Sequence, residues 1–340
     1  MAVRDVAYVE LYTNDKRTAA DYFVSSMGFT RTAESVGVDR SSVMLQQGDV
    51  RLLITMGTAT WKFLECHGEG IANIAMTCED VGETFAAAVA AGARTVSVQQ
   101  GIPTVSGFGG VSHTLLPLAD DSANGLPPGH NWVEVPEETG RRAGPVRLLD
   151  HVAICLEGGT LQQYADFYHD AFGLARYSSE YVDVGEHAMD SIVVRSPSGG
   201  VTFTLVAPDL SKGPGQLNGF LERNGAPGVQ HLAFLVDAIL PAVHEFRERG
   251  VQFLSTPDAY YDKLQQRMSG LREEIAELRS AQVLADRDEW GYLLQLFSRS
   301  PHERNTLFYE LIQRQGSRGF GSANIRALYD AVERERLAIE

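Results

Sequence analysis

The 340-residue chain is 44% hydrophobic, enough to bury one large core or two ordinary ones, which excludes a disordered or fibrous protein. A formal charge of −15 argues against nucleic acid or an anionic membrane as partner, because both demand clustered Lys and Arg. Three cysteines without CxxC spacing suggest neither a disulfide framework nor a thiolate metal site. Arg4 and Asp5 stand where a signal peptide would need its apolar core, and no apolar run reaches membrane-span length, so a reducing cytoplasm is expected.

Along the chain, VAYVELYTNDKRTAADYFVSSMGFTRTAES from Val6 reads as an apolar strand, a polar turn, a helix-period segment, a Gly stop and a second strand. GEGIANIAMTCEDVGETFAAAVAAGARTVSV from Gly68 reads as a strand and an amphipathic helix closed by Gly92. A polar stretch from Leu118 to Pro145, with several Gly and Pro, then connects two halves. The second half repeats the first: LDHVAICLEGGTLQQYADFYHDAFGLARYSSE from Leu149 parallels the opening segment. GAPGVQHLAFLVDAILPAVHEFRERGVQFLS from Gly225 parallels the one from Gly68. Two matches in the same order indicate duplication, giving four βαβ-type modules in two domains, 1–145 and 146–340. Asp262 to Trp290 has no counterpart in the first half, and its charged helical period predicts an exposed helix.

Aligning the halves sets His231, in GVQHLAF, opposite Asn73, and His151, in DHVAICL, opposite Tyr8. Two histidines in apolar strands of one half only are unlike routine core residues. A carboxylate completes the group: Glu310 interrupts the apolar run of LFYELIQR, opposite Thr114, where an unpartnered charge would cost several kcal/mol. The near-equal spacing of the three implies well-separated strands that a closed, cupped sheet brings together. Two imidazoles and a carboxylate with open positions suit non-haem Fe(II), and His₂Glu also suits catalytic zinc, so spacing leaves the metal open. His67, His113, His130, His169, His187, His244 and His302 read as surface or structural.

With these residues in place, the chain resembles the 4-hydroxyphenylpyruvate dioxygenase family of the vicinal oxygen chelate superfamily over essentially its whole length. The order GVQHLAF, RERGVQFLSTPDAYYDKL, LLQLF, LFYELIQRQG and GFGSANIRALYDAVERER carries the resemblance. It implies an α+β fold of paired βαβββ modules forming two cupped, barrel-like mixed sheets with outer helices. It also implies Fe(II) at His151, His231 and Glu310, with a metal-free first half. The substrates implied are 4-hydroxyphenylpyruvate and O2. The keto acid's own carboxylate and keto oxygens would take two iron positions, so no separate 2-oxoglutarate is required. A homodimer is expected by analogy.

The family has two branches, one hydroxylating the ring to give homogentisate and the other the benzylic carbon to give 4-hydroxymandelate. The ring-attacking branch usually carries a pocket Asn where this chain reads Thr204-Leu205-Val206-Ala207-Pro208, with Val206 at the Asn position. It also usually carries Asn-Phe where this chain has Asn324-Ile325. Both departures, and SGFGGVSHTLL in the first half, match the benzylic branch, which is the expectation here, with homogentisate formation as the alternative. By resemblance that branch serves peptide-antibiotic synthesis. Ala207 stands where both branches tend to have Glu. Further pocket residues implied are Ser191, Thr204, Gln216, Gln230 and Gln295, with Phe297 and Phe320 as walls for the ring, and a Gly319-Phe320-Gly321 turn into a C-terminal lid helix.

Overall fold

The computed structural model describes residues 3–118, 126–127, 130–136, 144–268, 274–325 and 327. Four modules follow in chain order. The first is β1 (Val3–Tyr12), α1 (Lys16–Asp21), β2 (Thr30–Val36), β3 (Ser41–Gln47) and β4 (Val50–Met56). After α2 (Trp61–His67) the second runs β5 (Gly70–Cys78), α3 (Val81–Ala90), β6 (Thr95–Gln99), β7 (Ile102–Ser106) and β8 (Ser112–Pro117), and β9 (Trp132–Glu134) adds an edge strand. The third is β10 (Val146–Cys155), α4 (Leu161–Phe172), β11 (Ala175–Asp183), β12 (Ala188–Arg195) and β13 (Thr202–Pro208), followed by α5 (Gln216–Asn224). The fourth holds β14 (Gly228–Val236), α6 (Ile239–Glu248), α7 (Asp258–Arg267), α8 (Ile275–Ala281), β15 (Leu284–Arg287), β16 (Tyr292–Phe297) and β17 (Phe308–Gln315).

Local chemistry sets the boundaries. Asp15 and Asp80 cap α1 and α3 by accepting backbone N–H groups of the first turn, and α4 ends at Gly173, whose φ of 71° a residue with a Cβ resists. In every module the first strand lies parallel to the last, β1 with β4, β5 with β8, β10 with β13 and β14 with β17. Antiparallel pairing of β1 with β5, and of β10 with β14, fuses two modules into one mixed sheet. The orders are β6-β7-β8-β5-β1-β4-β3-β2-β9 and β11-β12-β13-β10-β14-β17-β16-β15. The middle strands β5 and β14 are covered on both faces, which is why they read as nearly continuous apolar runs. This is the vicinal oxygen chelate fold.

One hydrophobic core joins the halves, with Phe29 against Phe234 at 6.0 Å and Phe23 against Tyr309 at 5.3 Å between ring centres. His67, His113 and His302 are buried in this junction rather than on the surface. Their ring nitrogens bond Asn224 O (2.8 Å), Tyr168 Oη (3.0 Å) and Glu69 Oε2 (3.2 Å), each across the two halves.

The stretch 262–290 is not one exposed helix. It contains the end of α7, the buried residues Ile275, Leu278 and Ala281 of α8, and β15, which pairs with β16; residues 269–273 lie outside the described set. Two short helices replace the predicted one because α8 needs an apolar face to pack on α6. Much of the connecting stretch 118–145, and the part of the expected lid helix beyond residue 327, also lie outside the described residues.

Candidate metal centre

Register places the three ligand candidates before any side-chain detail. His151 on β10 faces Ala233 on β14, and Glu310 on β17 faces the same Ala233 from the other side. His231 stands two residues earlier on β14, on the same face, since side chains alternate along a strand. The strands are therefore three immediate neighbours at the sheet centre, and adjacency rather than closure of a barrel brings the ligands together. Ala233, with a single methyl, leaves the space among them open.

His151 Nε2 and Glu310 Oε2 lie 3.4 Å apart, His231 Nε2 and Glu310 Oε2 3.2 Å, and the two Nε2 atoms 3.4 Å. Ligands held at about 2.1 Å from one ion and subtending roughly 90–110° stand about 3.0–3.4 Å apart, so the spacing fits adjacent positions around a metal. The outer ring atoms are also engaged: His151 Nδ1 donates to Asp150 Oδ1 at 2.8 Å and His231 Nδ1 to Gln230 Oε1 at 3.3 Å. Each bond leaves a lone pair on Nε2, the arrangement usual for metal-bound histidine. All three residues are buried.

The electrostatics agree. Burial works against a charged Glu310, yet His151 and His231 outweigh it and hold the carboxyl down to about 2. Burial likewise works against a charged His151, but Glu310 and Asp150 raise it to about 9. Burial pushes His231 down. In the absence of a metal, a proton on His151 thus balances the carboxylates, and a divalent cation can take that place.

Beyond the ligands, a chain of amides fixes Glu310. Gln295 Nε2 donates to Glu310 Oε1 at 2.8 Å, Asn324 Nδ2 donates to Gln295 Oε1 at 3.0 Å, and Tyr260 Oη lies 2.6 Å from Asn324 Oδ1. The amide of Gln295, expected to face substrate, is engaged by these protein groups. Phe320 meets the His151 ring edge-on at 5.2 Å, Phe297 meets His231 at 6.0 Å, and Phe308 stacks on His231 at 5.0 Å.

Cross-strand pairs carry Ser191, Thr204 and Val206 onto the same face: Ser191 pairs with Val206, Val206 with Cys155, and Thr204 with Ala153, which itself pairs with His231. Val206 packs with Cys155, Met189, Leu217, Phe220 and Ile325. Thr204 Oγ1 is buried without a hydrogen-bond partner. Ser191 Oγ donates to Glu180 O at 3.2 Å, and Ser191 lines a cleft together with Glu180 and Asp190. Gln216 opens α5, beside Leu217 of the Val206 cluster. Sequence reasoning missed Asp150, Arg314, Tyr260 and Phe308. A charged residue inside the apolar run LLDHVAI was the available signal for the first.

Residues 1–122 match the model described as hydroxyphenylpyruvate dioxygenase, N-terminal, and residues 148–296 match the glyoxalase/bleomycin resistance protein/dioxygenase superfamily. A solved structure of a triple mutant of 4-hydroxymandelate synthase from Streptomyces coelicolor is 50% identical, with a TM-score of 0.91, covering 99% of this chain and 100% of that one. A probable 4-hydroxyphenylpyruvate dioxygenase 2 of Aspergillus fumigatus is 31% identical over 97% of this chain and 93% of its own length. The 4-hydroxyphenylpyruvate dioxygenase of Yarrowia lipolytica is 28% identical, over 98% of this chain and 92% of its own length. With such similarity running through both halves and a buried His-His-Glu group on three neighbouring strands, the chain belongs to the 4-hydroxyphenylpyruvate dioxygenase family and is a non-haem dioxygenase.

Proposed function

We propose that the chain converts 4-hydroxyphenylpyruvate and O2 into 4-hydroxymandelate and CO2, with Fe(II) held by His151, His231 and Glu310. One O2 supplies both oxygens needed, one to the new carboxylate and one to the benzylic hydroxyl, so the atoms balance without a further reductant. Bound Fe(II) supplies the activation of O2 and the oxidative decarboxylation of the keto acid.

The product assignment rests on one observation: Val206 and Ile325 belong to one apolar cluster, so these two positions offer the substrate ring neither an amide nor an aromatic side chain. The 50% identity to a 4-hydroxymandelate synthase supports the same branch. The chain's own residues bind and orient. Phe320 and Phe297 flank the ligand histidines and exclude water, Gln295 fixes the Glu310 carboxylate, and Thr204 Oγ1 is the buried hydroxyl available to a polar group of the substrate.

The test is anaerobic loading with Fe(II), addition of 4-hydroxyphenylpyruvate and air, and proton NMR of the product. A para-disubstituted ring with a benzylic CH–OH signal is expected. A trisubstituted ring with a CH2 signal would assign the enzyme to homogentisate formation, and mass cannot distinguish the two because they are isomers.

A further inference from the structure

Arg314 lies four residues after Glu310 on β17, and even spacing sets both on the same side of the strand. Its Nε and Nη2 donate to the two carboxylate oxygens of Asp150, each at 2.7 Å, a bidentate pair whose side chains are only 19% and 9% exposed. The same Asp150 Oδ1 accepts Nδ1–H of the ligand His151. A register irregularity of β10 between Leu149 and His151 allows neighbouring side chains to meet in this way. The remaining Nη1 donates to Gly319 O at 2.6 Å, and the guanidinium lies 5.1 Å from the centre of the Phe320 ring. Phe320 in turn meets the His151 ring edge-on, 5.2 Å between ring centres.

We infer that Arg314 is a positioning residue that clamps the ligand His151 and the Gly319–Phe320 turn into one geometry, so that filling the metal centre orders the turn. The guanidinium suits this task, because its planar fork binds Asp150 with two donors while the third points to the turn, which the single ammonium of lysine cannot reproduce. Asp288 anchors the turn independently, accepting from Ser317 Oγ and the N–H groups of Arg318 and Gly319. The turn therefore keeps its place without Arg314 but loses its link to the metal ligand. The inference rests on the metal centre and not on which product is formed.

The experiment uses two variants, Arg314→Lys, which keeps the charge and loses the fork, and Asp150→Asn with Arg314→Met, which leaves no unpaired buried charge. Co(II) is the probe, measured by chelator competition and by hydrogen–deuterium exchange of peptides covering residues 315–325, on variants whose circular dichroism matches the unaltered chain. Co(II) affinity should fall about 10- to 100-fold in the double variant and less in Arg314→Lys. Saturating Co(II) should slow exchange of the turn in the unaltered chain and fail to slow it in the double variant. Equal slowing in that variant, or unchanged affinity, would overturn the clamp while leaving the proposed function standing. An unaltered chain that binds no Co(II) would overturn both.

Discussion

Val206 on β13 and Ile325 in the helical turn at 322–325 lie 119 positions apart in the chain, yet pack into one apolar cluster with Met189, Leu217 and Phe220. Changing either side chain changes the same wall. Val206→Asn combined with Ile325→Phe should bring homogentisate to at least about a tenth of the product, which leaves a difference of roughly 1.3 kcal/mol between the two barriers. Unchanged product from a folded double variant would show that these two positions do not select the carbon attacked.

Glu310 Oε2 stands 3.4 Å and 3.2 Å from the Nε2 atoms of His151 and His231. Glu310→Ala and His231→Ala should each lower metal affinity by more than about 100-fold, beyond the range of changes outside the ligand set, and abolish turnover. Metal content after gel filtration checks this, and an iron-loaded, active variant of either kind would refute the ligand assignment.

Metal binding should depend on pH in a defined direction. His151 titrates at about 9 in the absence of a metal, so below that value each ion bound must displace a proton. Apparent affinity should rise about tenfold per pH unit toward about 9 and then level off. Titration calorimetry in buffers of different ionisation enthalpy would count the proton, and no release at neutral pH would contradict the assignment.

Thr204 Oγ1 is buried without a partner, a cost that substrate binding can offset. Thr204→Val should leave stability unchanged or raise it by up to about 1 kcal/mol, because the orphaned hydroxyl disappears, while KM rises several-fold. Metal affinity should not move. A KM equal to that of the unaltered chain would remove Thr204 from the pocket.

Gly321 has φ of 76°, and a Cβ there would stand 2.0 Å from Gln295 Oε1. Gly321→Ala should therefore cost about 1 kcal/mol or more from backbone strain alone and break the Asn324–Gln295 bond. A lowered melting temperature together with weaker metal retention is expected, and an unchanged melting temperature would show that the turn relaxes freely.

The repeat and the grouping of two histidines with a carboxylate in the second half were legible in the primary sequence, because each leaves a local mark. His231 and Glu310 are polar residues inside apolar strand runs, and Tyr8, Asn73 and Thr114 at the matching first-half positions show what the duplicated site holds without them. In the fold, Asn73 and Thr114 hydrogen-bond each other at 2.9 Å, and burial, first among the causes, pushes the Tyr8 phenol up. Less was legible where partners lie far apart in the chain. The stretch 262–290 resolved into two short helices and a strand because α8 found a packing face on α6. His67, His113 and His302, polar in their local context, became buried links between the halves.

Alternation and spacing in the chain alone determined that a β-rich duplicated protein would bury two imidazoles and a carboxylate in its second half. Only the tertiary structure decided that these lie on three adjacent strands around the small Ala233. It alone brought Asp150 against Arg314, turned Gln295 toward Glu310, and set Val206 beside Ile325. The physical reason is that burial and periodicity are properties of a segment, whereas register between strands is fixed jointly by all the strands of a sheet.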